Sequence, residues 1–213
     1  MAHTKWKQDF FALVEPIPLR DPLASLLGAT RDDEPIYYGY QECVKLAGHA
    51  CASVSSAFQM TKLALKALYG EELPVRGEIE VRFAGGRDAG ANGPIGQVIA
   101  FITGAAIETG FHGLGGKHVR SNTFVYDDTL VNDGDILVHF KRTDTGAAVA
   151  VRANPSAIPM TDEEKSFSAL APNVIHGRAT DEEREAFYRY WQGKNKKILL
   201  EDHPEVFYVE PLS

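Results

Sequence analysis

The stretch 45–70, KLAGHACASVSSAFQMTKLALKALYG, decides how this chain reads. Val54, Phe58, Thr61, Leu65 and Leu68 recur at alternating spacings of four and three, which sets them on one face of a 3.6-residue helix. Gly70 closes the pattern, where a left-handed cap is expected. The entry to this helix carries His49 and Cys51, two side chains able to bind a soft metal. Two residues apart on a helix they diverge by about 200°; on an extended lead-in they point the same way. A shared ligand therefore requires a non-helical segment from Gly48 to Cys51, which the glycine permits. The amide dipoles at a helix start also favour the thiolate, the state that binds metal. Two ligands fall short of the four of a closed zinc site or the three of an open one. Without further ligands the pair reads as a packed cysteine and a hydrogen-bonding histidine.

Outward from this stretch, composition bounds the rest. The 213 residues, 44% hydrophobic and 24% charged, suit one globular domain with an appendage or two small ones. Net charge is -7 and acid clusters at Asp32-Asp33-Glu34, Asp162-Glu163-Glu164 and Asp181-Glu182-Glu183. With no basic stripe, nucleic acid and anionic membrane are poor partners. No apolar run approaches a membrane span, and the N-terminus lacks an apolar core ending in a cleavage site. Two cysteines, Cys43 and Cys51, argue against a disulfide scaffold. A cytoplasmic protein is expected.

Residues 1–35 read as an N-terminal extension: a short helix over 10–14, a proline-rich turn at Glu15-Pro-Ile-Pro, a segment 22–27 closed by Gly28, and a polar connector 32–35. The core domain spans 36–155, opening on an aromatic run at 36–44 that can lie beside the His-x-Cys entry. Period-2 alternation over 78–83 predicts a half-exposed strand. The glycine-rich loop 84–96 leads into a helix begun by Pro94 and running over 95–109. Such a loop can hold an anion, but it lacks a nucleotide fingerprint and a turn is the simpler purpose. Residues 110–121, GFHGLGGKHVRS, place His112 and His118 on a flexible loop. Strands follow at 122–126, 136–142 and 147–153, with Asn132-Asp-Gly-Asp and Asp144-Thr-Gly read as hairpin turns and His139 as structural. Residues 156–213 form a C-terminal helix and arm, opened by capping boxes at Thr161–Glu164 and Thr180–Glu183. The class is α+β: an α-β-α-β-β-β core with a small mixed sheet, the long helix packed on one face and a C-terminal helical extension.

Three stretches carry a family resemblance: Gly48-His-Ala-Cys51, Phe101-Ile-Thr-Gly104, and Ile175-His-Gly-Arg followed by Ala179-Thr-Asp-Glu-Glu-Arg. With 122–127 between them, the chain over roughly 36–210 resembles the formylmethanofuran dehydrogenase E-subunit family and its stand-alone bacterial relatives. The resemblance implies a mixed four-stranded sheet, a dimer, and a metal held by the histidine and cysteine of Gly-His-x-Cys, here His49 and Cys51. This chain departs from the pattern in several places. Ala52 stands where a proline is common, Asn92-Gly-Pro and Ala105-Ala106 stand where further cysteines occur, and the C-terminal zinc ribbon is absent. His112 and His118 are then the expected further ligands, with Cys43 the competing one.

The function expected is metal binding, of zinc or another transition metal, through His49, Cys51, His112 and His118. The alternatives are a metal-dependent enzyme with an open metal position, an accessory component of a redox complex, and a haem protein using a loop histidine. A homodimer is expected, held partly by Phe187, Trp191 and Phe207 as exposed apolar surface.

Overall fold

The computed structural model describes residues 3–31 and 34–212; Asp32 and Asp33 of the expected connector lie outside them. After a 3-10 turn at Asp9–Leu13, β1 (Ile17–Leu19) pairs antiparallel with β2 (Ile36–Tyr38), and α1 (Pro22–Leu26) lies between them. The stretch expected as a proline-rich turn is thus partly a strand. Pro18 fits because a two-stranded ribbon leaves one side of each strand unpaired. Next come α2 (Tyr40–Ala47) and the long helix α3 (Ala52–Tyr69).

All five periodic residues of α3 are buried, as the spacing predicts. So are Ser55, Ser56, Ala57, Met60 and Ala64 on its other sides. The helix is central because these mostly small side chains let α2 and the two later helices, α4 (Asn92–Thr103) and α7 (Asp181–Leu200), approach it. Its end is held by Gly70 at φ 58, positive as expected though with ψ -115 outside the left-handed helical region. Arg142 Nη1 donates to the Leu68 carbonyl at 3.2 Å, placing a cation at the negative end of the helix dipole.

The main sheet has the order β4–β3–β5–β6–β7: β3 (Ile79–Ala84), β4 (Phe124–Asp127), β5 (Ile136–Arg142), β6 (Ala148–Ala153) and β7 (Phe207–Leu212). Only the β3–β4 pair is parallel, with α4 as the crossover, so the sheet is mixed and the class is α+β. It has five strands rather than four because the expected C-terminal arm pairs with β6. The Asp144 turn is a hairpin between β5 and β6. The turn at 132–135 is not one, since β4 and β5 lie on opposite sides of β3. Helix α4 begins at Asn92 and ends at Thr103, short of the expected 109, because Gly104 adopts the left-handed cap at φ 76.

The remaining short helices, α5 (Asp162–Phe167) and α6 (Ala171–Ile175), precede α7. Both capping boxes form: Thr161 Oγ1 accepts from Glu164 N at 3.1 Å, and Thr180 Oγ1 from Glu183 N at 3.2 Å. Phe10, Ile17, Val54, Val151, Ile198 and Phe207 belong to one buried cluster, so packing is continuous across the expected boundaries at 35 and 155. Among the described residues no helix is long and apolar enough to cross a membrane.

Candidate functional site

The stretch 48–51 is the bend between α2 and α3, and it is non-helical as a shared ligand requires. Gly48 ends α2 in the left-handed conformation, φ 75 and ψ 0, with its N–H donating to Val44 O. Cys51 is extended, φ -147 and ψ 170, and serves as the N-cap of α3. An entry non-helical through Ser53 is also expected from the spacing, but helix resumes at Ala52, so the non-helical segment ends at Cys51. Two contacts shape the bend. The His49 ring is exposed, and its Nδ1 lies 2.9 Å from the Ala47 carbonyl. A carbonyl can only accept, so this bond puts a proton on Nδ1, and in the neutral tautomer that makes it the lone pair lies on Nε2. From the other side, Trp191 Nε1 of α7 donates to the Ala50 carbonyl at 2.8 Å.

Beneath the bend lies a buried polar pair. Tyr40, 1% exposed, shares a 2.8 Å hydrogen bond with Ser55 Oγ. Burial pushes the Tyr40 hydroxyl up, and the Cys51 and Cys43 thiols add to the shift. Cys43 is fully buried on α2, and burial followed by the Glu42 charge pushes its thiol up to about 12. At neutral pH it stays a protonated, apolar side chain, poorly suited to be a metal ligand. Cys51 is half-buried and is the more accessible thiol.

The loop histidines are at the other end of α3. His118 lines a cavity with Arg76, Gly77 and Glu78, where the chain enters β3. His112 is exposed next to Phe111, whose carbonyl accepts from Arg120 N at 2.8 Å. The 18 residues of α3 separate this end from the bend by about 27 Å at 1.5 Å per residue. The structure therefore brings His49 and Cys51 onto one short bend and does not bring His112 or His118 to it. Among the described residues, no group of three or more His, Cys, Asp and Glu side chains is placed to hold a metal ion.

Other expected features have plain structural roles. In the glycine-rich loop, Asn92 Nδ2 donates to Gly86 O at 2.9 Å, so this side chain closes the turn itself. His139 of β5 is half-buried, its pKa lowered by burial and then by Arg82 and Arg152. Phe187 and Phe207, expected on a dimer surface, are 8% and 6% exposed and pack within the chain. Trp191 of the same set remains 40% exposed.

Sequence reasoning missed one charged cluster. Asp21, 5% exposed, accepts from Arg120 Nη2 at 2.6 Å and Arg76 Nη1 at 3.1 Å. Asp before Pro22 is a legible N-cap signal. The two arginines lie 55 and 99 residues away, and nothing local announces them.

No protein-family model matches this chain, and no curated protein matches it.

Proposed function

We propose that this chain binds a transition metal, zinc first, through His49 and Cys51, and that the same pair from a second copy completes the ligand set. The observation that carries the reading is the His49 ring. Metal-binding histidines commonly donate one ring N–H to a carbonyl or carboxylate, which fixes the tautomer and presents the other nitrogen to the ion. The Nδ1 bond to Ala47 O does this, and the ring is exposed. Cys51 follows two residues later at the start of α3. The resemblance to the formylmethanofuran dehydrogenase E-subunit family points to the same two residues.

One chain offers two ligands where a closed site needs four and an open one three. Two chains related by a two-fold axis would supply two imidazoles and two thiolates, a complete tetrahedral set for zinc. Apolar surface suited to such a contact flanks the bend: Leu46, in the last turn of α2, is 45% exposed, and Trp191 40%. A metal held this way would act in assembly; an enzymatic role would need one ligand position left to substrate or water.

The test is a zinc titration of tag-free, metal-stripped protein with sedimentation at each step. The reading expects saturation at half an equivalent per chain and a zinc-dependent dimer. A chain that takes up no zinc, or a full equivalent as a monomer, contradicts it.

A further inference from the structure

The glycine-rich loop before α4 carries a cation that the fold does not use. Arg87 is exposed and makes no hydrogen bond or ion pair among the described residues. The nearby carboxylates turn elsewhere: Asp88 and Asp128 both stand by Gly86, 3.2 and 3.4 Å from where its Cβ would lie. Arg87 instead lines a cavity of 330 Å³ between α4 and β4.

The wall of this cavity is mostly apolar. Helix α4 turns Gly96 and Ala100 to it, β4 turns Phe124 and Tyr126, and Ile107 of the loop after α4 lines it as well. Among the described residues no acidic side chain lines it. A Cβ on Gly96 would collide with the Tyr126 hydroxyl and stand 3.1 Å from Phe124 Cζ, so its absence lets both rings lie against the helix. Tyr126 Oη donates to Asn92 O at 3.4 Å, and burial pushes its pKa up against the pull of Arg87. The phenol is therefore neutral at physiological pH and leaves the guanidinium charge uncompensated. Gln97, exposed and with no hydrogen-bond partner among the described residues, is a further free polar group on the lining.

We propose that this cavity binds a small monocarboxylic acid, its apolar body between Ala100 and the two aromatic rings and its carboxylate on Arg87. The volume lies at the low end of the ~300–1,000 Å³ of small-molecule sites, so the body is one ring or a short chain. The planar guanidinium fork offers a carboxylate two parallel N–H donors. One cation beside an apolar wall balances one negative charge; a phosphate dianion would bring a second with nothing to meet it. None of the lining residues belongs to the α2–α3 bend, so the proposal stands or falls apart from the metal reading.

Calorimetric titration of the full chain, stripped of metal by a chelator, with hexanoate and separately with benzoate tests it; hexylamine is the probe of opposite charge. At least one carboxylate is expected to saturate one site per chain, and hexylamine none. Arg87→Gln should weaken the carboxylate roughly tenfold, since a hydrogen bond to a charged group is worth about that factor. The Arg87 side chain is exposed and bonds to nothing else described, so this variant should fold as the wild type does. Ala100→Leu fills the cavity with a good helix former and should abolish binding. No saturable binding of either carboxylate up to tens of millimolar overturns the proposal. So does equal affinity for hexylamine, or undiminished carboxylate affinity in Arg87→Gln or in folded Ala100→Leu. If Ala100→Leu does not fold, Arg87→Gln decides the matter.

Discussion

The two ends of α3 present similar residues in different settings. Each has at least one glycine at positive φ and at least one histidine in a break between regular elements. At the N-terminal end, the bend is short and tied down: its histidine ring bonds back to Ala47, and Trp191 holds the carbonyl between the two candidate ligands. At the C-terminal end, the glycine loop is longer and its anchor is electrostatic, through Arg120 and Arg76 on Asp21. A histidine among glycines therefore says little about ligation until its neighbours are known. The first setting leaves an exposed imidazole tied by one nitrogen to a carbonyl; the second gathers two guanidiniums on one carboxylate.

The largest effect should come from the anchor at the C-terminal end. Asp21→Ala leaves two largely buried guanidiniums facing each other, and breaking such a pair costs about 3–5 kcal/mol; urea unfolding measures it. Burial alone would raise the Asp21 carboxyl, but the Ala24 amide and the Arg120 and Arg76 guanidiniums outweigh it and hold the pKa below its ordinary 3.8. A depressed folded pKa contributes stability above the unfolded pKa, and that stability is lost as pH falls through the folded one. Wild-type protein should therefore lose stability below about pH 4 more steeply than Asp21→Asn does. Elsewhere the effects are smaller. Thr180→Ala removes the cap of α7 and should cost about 1 kcal/mol by the same assay. Trp191→Phe keeps the ring beside Phe187, 5.4 Å away, but leaves Ala50 O without its donor. It should cost about 1 kcal/mol and weaken zinc binding severalfold; unchanged zinc affinity would show that the bend needs no help from α7. Last, brief alkylation of the native protein should modify Cys51 and spare Cys43, seen as one adduct per chain by mass spectrometry. Two adducts at equal rate would show that α2 opens readily.

Much of the fold was legible where local pattern and tertiary packing agree. Spacing alone marks the buried stripe of α3, the capping boxes mark α5 and α7, and β5 runs over the expected 136–142. Other parts were hidden for physical reasons. Strand β1 contains Pro18, tolerated only because its partner ribbon is two strands wide. Helix α2 starts on Gly39, whose N–H bonds the Glu42 carboxylate, with no Ser, Thr, Asp or Asn to announce a start. The non-helical bend of the candidate site was legible from the spacing of His49 and Cys51. The placement of His112 and His118 was not, because it depends on the loop following α4 to the end of the sheet where α3 finishes.

On the proposed reading, metal should bind at the α2–α3 bend and not at the loop. Metal per chain, measured by elemental analysis of tag-free protein, tests it across four variants: His49→Ala, Cys51→Ala, His112→Ala and His118→Ala. The first two should lose the metal and the last two should keep it. Metal retained in His49→Ala and Cys51→Ala, or released by either loop substitution, would contradict it.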